Sequence, residues 1–177
     1  MDGVWCERVF APWGDMEQAM RDNSLPLWAL ESQTPVREFD MIAFTIGYEM
    51  AYSNILNMLN LAGVPLRSKD RQGLKNIVFA GGVCAFNPEP LADFIDFFSL
   101  GEGEDITVEI LQLYDRAKAE GWSKDAFLHE AAKIPGVYVP SFYRHEYNAD
   151  GTLAAIVPLE GVPQTVTKRI IEDLDNA

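Results

Sequence analysis

The sequence is short of cysteine, of histidine and of positive charge, and each shortage removes a class of function. Cys6 and Cys84 are the only cysteines in 177 residues. Two thiols so far apart in sequence form neither a disulfide framework nor a metal knuckle, so both are expected as reduced core side chains. The two histidines, His129 and His145, have no second ligand at metal spacing and are expected to serve packing or the surface. Fourteen Lys and Arg stand against 27 Asp and Glu, a net charge of −13. That field repels phosphate backbones and anionic lipid headgroups, which argues against nucleic acid and membrane as partners. Long apolar runs are missing too. Met41 to Ile46 and Ile77 to Ala80 are strand length, far short of the ~20 residues that span a bilayer. The N-terminus lacks a basic stretch followed by an apolar one, so a cytoplasmic location is expected. No Gly-x-Gly-x-x-Gly, Walker lysine, nucleophile-elbow serine or metal-binding helix motif occurs, which leaves hydride transfer, phosphoryl transfer and triad hydrolysis without their usual supports.

What is present is a folding chain. With 48% hydrophobic and 11% aromatic residues, it has the apolar content of one globular domain. Short apolar runs alternate with amphipathic stretches, the pattern of strands and helices that builds a parallel sheet covered on both faces. Strands are expected at Cys6 to Phe10, Leu27 to Leu30, Asp40 to Ile46, Asn76 to Ala80 and Ile95 to Leu100. The run from Asp40 to Ile46 is nearly all apolar and reads as a central strand. Helices are expected at Asp15 to Arg21, Met50 to Ala62, Asp105 to Ala119 and Lys124 to Ile134, with another opened by Asn87 as N-cap and Pro88. Leu66 to Leu74 reads as a basic surface loop. Phe142 to Tyr147 and Thr152 to Val157 flank Asn148-Ala149-Asp150-Gly151, a hairpin signal. The expected division is an α/β domain over 1–136, a hairpin extension over 137–160 and a linker over 161–177.

In an open parallel sheet, ligands bind outside the carboxyl ends of the strands. Three turns occupy such places. Thr45-Ile46-Gly47-Tyr48-Glu49 carries a hydroxyl and a flexible glycine. Gly81-Gly82-Val83-Cys84-Ala85-Phe86-Asn87-Pro88 has paired glycines that let backbone approach a ligand. Gly101-Glu102-Gly103-Glu104 places two carboxylates where a phosphate would be repelled. Each is equally readable as an ordinary connecting turn.

These turns, with Val9-Phe10-Ala11-Pro12-Trp13, Asn87-Pro88-Glu89-Pro90 and the tail from Lys168-Arg169 to Asp173-Leu174-Asp175, carry a family resemblance. The chain resembles the N-terminal, cobalamin-binding-type region of uncharacterised radical SAM (Fe-S oxidoreductase-like) proteins, essentially from end to end. The resemblance implies a flavodoxin-like fold in which Thr45, Gly81, Gly82 and Gly101 hold the nucleotide tail of cobalamin, with Gly47, Tyr48, Asn87, Glu102 and Gly103 beside them. It also implies two departures. The family's first strand and helix, with the histidine that can ligate cobalt, would precede Met1. The three-cysteine motif for the 4Fe-4S cluster that cleaves S-adenosylmethionine would lie in a barrel beyond the tail, so this chain would not perform that cleavage alone.

The expected function is therefore an accessory domain that binds or docks beside a radical SAM barrel. A second reading is a structural scaffold that has lost the cofactor, and whose open sheet edge pairs two copies into a homodimer. A third is an independent enzyme that uses Glu49, Glu102 or Glu104 as an acid or base.

Overall fold

The computed structural model describes residues 3–172. After an extended N-terminal segment come α1 (Gly14–Asp22), β1 (Met41–Thr45), α2 (Tyr52–Ala62), β2 (Ile77–Gly81), β3 (Phe97–Ser99), α3 (Gly103–Glu120), α4 (Lys124–Ala131) and β4 (Val137–Tyr138). A hairpin of β5 (Tyr143–Tyr147) and β6 (Leu153–Pro158) follows. The main sheet has the order β1-β2-β3-β4. β1 to β3 run parallel, with Thr45 opposite Gly81 and Ala80 opposite Phe98, and β4 closes the far edge antiparallel to β3. The fold is thus α/β with a mixed, mostly parallel sheet and a C-terminal hairpin. Three consecutive strands side by side are also the order found on one side of a flavodoxin-like sheet.

Strand alternation sends residues to two cores. Ile42, Val78, Ala80, Phe98 and Tyr138 face one side, where α2 lays down Ile55, Met58 and Leu59. Ile77, Phe97 and Val137 face the other, against Ile106, Ile110 and Tyr114 of α3 and Phe127 of α4. The spacing of Ile106, Ile110 and Ala117 is the inward stripe read from the sequence, with Tyr114 buried beside it and Leu113 packed at its margin. Aromatic pairs stiffen this side: Phe79 stacks on Phe97 at 4.9 Å and Phe127 meets Tyr114 edge-on at 5.7 Å. Ser123 caps α4 as expected, accepting from the Ala126 amide at 3.1 Å. α1 is fastened to α2 by Arg21, which donates to Asn57 and Asn60.

Several expectations are corrected. Cys6 to Phe10 is not a strand. Its side chains are engaged with a turn, Arg8 with Glu31 and Glu7 with Ser32, while its backbone accepts from Leu30 N at Arg8 O, 2.9 Å, and donates from Arg8 N to the Glu31 carboxylate. Leu27 to Leu30 contributes a single bridge, Trp28 to Pro35, because proline cannot extend a ladder. The apolar run ending at Ile46 forms an edge strand, not a central one: among the described residues β1 pairs only with β2, and Ala43 and Thr45 are exposed. The extended segment around Val4 to Val9 lies along the flank of this edge, enclosing a small apolar cavity of about 240 Å³ with Met41 and Leu111. No helix opens at Asn87. Two 3-10 turns, Val83–Phe86 and Glu89–Leu91, stand there instead, since Pro88 and Pro90 remove two amide donors. Val137–Tyr138 belongs to the main sheet. Arg71, in the expected surface loop, is 3% exposed.

The final segment is also tied down as far as it is described. Arg169 bridges Gly101 in parallel, with Arg169 N donating to Leu100 O at 2.8 Å and Glu102 N to Arg169 O at 3.1 Å. The rest of the expected linker, 173–177, lies outside the described residues. Among the described residues, no helix is long and apolar enough to cross a membrane.

Candidate functional site

The three turns singled out in the sequence stand side by side at the carboxyl ends of β1, β2 and β3, because the strands are parallel and adjacent. Thr45 ends β1 and is exposed. Gly47 and Tyr48 carry the chain from there toward α2. Opposite them, Gly81 ends β2 and Gly82 follows it, and Asn87 is drawn in by the Tyr52 hydroxyl, which donates to its carbonyl at 3.0 Å.

The glycines serve the packing of these turns. Gly82 sits at φ +96°, and a Cβ there would lie 2.8 Å from Ile46 O. The two turns are laced together: Ile46 N donates to Gly81 O at 2.8 Å and Cys84 N to Ile46 O at 3.1 Å. The space a ligand would need beside Gly82 is thus filled by Ile46 backbone. The third turn is filled likewise. Gly101, at φ +104°, is overlain by Arg169, whose carbonyl oxygen a Cβ would strike. The Glu102 carboxylate accepts from the Ile171 amide, and Arg169 pairs with Glu109 at 2.5 Å. The structure brings Thr45, Gly47, Tyr48, Gly81, Gly82 and Asn87 together, while Gly101, Glu102 and Gly103 lie under or beside the chain's own tail. The cavities of about 460, 480, 240 and 220 Å³ in the described residues are lined by other residues.

The first two turns expose large apolar side chains around the exposed Glu49. Tyr48, Met50, Val83 and Phe86 are 55–81% exposed, although turns at a water-facing sheet end are usually polar. Sequence reasoning missed this crest because single apolar residues within a turn have no periodicity. The signal available was the pair of apolar residues, Val83 and Phe86, inside a segment already bounded by Gly-Gly and Asn-Pro.

Electrostatics give the crest little reactivity. Burial, and then the nearby Glu49 carboxylate, raise the Cys84 thiol above its ordinary range, which disfavours the nucleophilic thiolate. Tyr52 is raised by burial, then by Cys84 and Glu49. His129 stacks on Phe142 at 4.2 Å and His145 lies 3.0 Å from Glu89. Among the described residues, no three side chains of His, Cys, Asp or Glu are grouped as a metal site.

An α/β domain with a mostly parallel sheet, whose strand-end turns are laced together by backbone hydrogen bonds, is the class that the geometry defines. Residues 1–140 match the family described as radical SAM proteins, N-terminal, and the chain belongs to that family. It is also 32% identical over 96 residues to an uncharacterised protein, MJ0966, of Methanocaldococcus jannaschii. That match covers 51% of this chain and 20% of the relative, so the chain spans only a fraction of that protein's length. No solved structure matches the chain.

Proposed function

We propose that this chain is the docking domain of a radical SAM protein, and that its strand-end crest is covered by a protein surface, the radical SAM barrel, rather than by a cofactor. The observation that carries this reading is the apolar crest of Tyr48, Met50, Val83 and Phe86, set on turns locked by backbone hydrogen bonds. A patch of large apolar side chains on turns held by backbone hydrogen bonds suits a flat protein contact, where large side chains supply most of the binding energy. Family membership supports the barrel as occupant. The chain supplies a contact surface and contributes no group to bond making or breaking.

The test mixes the purified chain with a separately expressed radical SAM barrel from a longer family member and follows complex formation by sedimentation. Complex formation that Met50→Asp or Val83→Asp weakens about tenfold or more, as expected when a charge is buried at an interface, supports the reading. Binding unaffected by both changes, or none by the wild type, contradicts it. Equilibrium dialysis against hydroxocobalamin separates the cofactor reading: stoichiometric retention by the chain would overturn the assignment of the crest to protein.

A further inference from the structure

At the opposite end of the sheet, before β2 and β3 begin, lies a cavity of about 460 Å³ that the docking reading leaves unused. It opens between the loop Arg67 to Gln72, the start of α4 and the entry to the hairpin. In a chain of net charge −13, four cations line it, Arg67, Lys69, Arg71 and Lys124, against two carboxylates, Asp93 and Asp125. Beneath it the buried Asp96 is shared by Arg71 at 3.0 Å and Lys124 at 2.6 Å, so the basic wall is held in place. Arg67 pairs with Asp93 at 2.5 Å, whereas Lys69 stands exposed on the rim.

Two further observations point to a ligand. Arg71 is enclosed, with 1% of its side chain exposed. Its terminal nitrogens donate to the carbonyls of Pro65, Leu66 and Phe94 and to Asp96, yet its Nε is buried with no acceptor. An unpaired donor in such a place costs free energy, so the loop that carries Arg67 and Lys69 is held against a strained, fully buried arginine. Second, a neighbouring cavity of about 480 Å³ shares Ala92, Asp93 and His145 with the first and is lined by Phe94, Leu153 and Ile156. A charged wall thus meets an apolar one.

We propose that this double cavity binds a small organic oxyanion, a phosphate ester or a carboxylate, whose charged head meets Lys69 and the half-exposed Arg67 and whose apolar body lies against the hairpin. Bidentate-capable arginine and a point-charge lysine are the donors that such heads use, and the volume suits a small ligand. The site is distinct from the strand-end crest.

The test is an NMR titration of the ¹⁵N-labelled chain with inorganic phosphate, phenyl phosphate and benzoate at low salt. Saturable shifts at the Lys69, Asp125 and Ser141 amides, with Gly47 and Asn87 unmoved, are expected for one of the two aromatic anions. Whichever of these binds more tightly identifies the head group. Lys69→Ala, an exposed change that leaves the fold intact, should weaken binding about fivefold or more. Ile156→Asp should weaken the aromatic anion by more than it weakens inorganic phosphate. Shifts that none of the three anions saturates, or that Lys69→Ala leaves unchanged, overturn the proposal. Arg71→Ala would unseat the loop itself and is not used.

Discussion

Replacing Asp96 by alanine should be the most damaging single change to the fold. Its carboxylate is fully buried and takes bonds from Arg71 at 3.0 Å, Lys124 at 2.6 Å, the Val78 amide at 2.7 Å and the Ser68 hydroxyl. Alanine leaves the buried Arg71 guanidinium without a counter-charge and the Val78 amide without an acceptor. Breaking a buried pair in this way costs about 3–5 kcal/mol, and a stranded amide about 1–3 kcal/mol more in isolation. The terms share partners and do not add fully, so about 4 kcal/mol is expected, a large part of the ~5–15 kcal/mol that holds a domain together. With a urea slope of about 2 kcal/mol per molar, the unfolding midpoint should fall by about 2 M. Asp93→Ala breaks the neighbouring Arg67 pair, which is half exposed, and should move the midpoint by no more than about 0.5 M. Urea unfolding followed by tryptophan fluorescence checks both. Equal shifts for the two variants, or a shift below about 0.5 M for Asp96→Ala, would refute the view that this buried network anchors the loop before β2 to the start of β3.

Gly101→Ala places a Cβ on the Arg169 backbone in a positive-φ conformation, so the tail should detach; limited proteolysis between 165 and 172 should accelerate about tenfold or more, with the sheet core still protected. Tyr138, buried and donating to Glu89, and Tyr114, buried near Asp40, both resist ionisation far above the ordinary tyrosine range. Unfolded tyrosines ionise near pH 10, so the stability these groups contribute is intact below about pH 10 and is lost as pH rises toward their folded values. Alkaline titration of phenolate absorbance should therefore show these two ionising together with unfolding; free titration of all six tyrosines near pH 10 in a folded chain would contradict this. A thiol-specific aromatic disulfide at neutral pH should modify the exposed Cys6 well before the half-buried Cys84, which peptide mass mapping resolves. Equal rates would contradict the closed packing of the second turn.

Much of the fold could be read from local pattern. Ile77 to Ala80, the stripe through Ile106, Ile110 and Ala117, and the Asn148 to Gly151 turn each carry their structural signal within a few residues. Strand order has no such signal: an apolar run looks alike at the centre and at an edge, and Asp40 to Ile46 stands at the edge. Arg71 has the sequence context of a surface residue because its burial depends on Asp96, 25 residues away. The position of the turns at strand ends is legible, since each follows an apolar run along the chain. What fills them was not legible. Gly82 and Gly101 look the same in sequence whether a ligand or the chain's own backbone approaches, and here Ile46 and Arg169 do.

The central claim, that the crest is a protein contact, is tested most directly by amide hydrogen exchange of the chain with and without the separately expressed barrel. Slowed exchange confined to the turns Gly47 to Ala51 and Gly82 to Asn87 is the predicted result. Slowed exchange along β1 instead, or no change anywhere under conditions where the two proteins co-sediment, would contradict it.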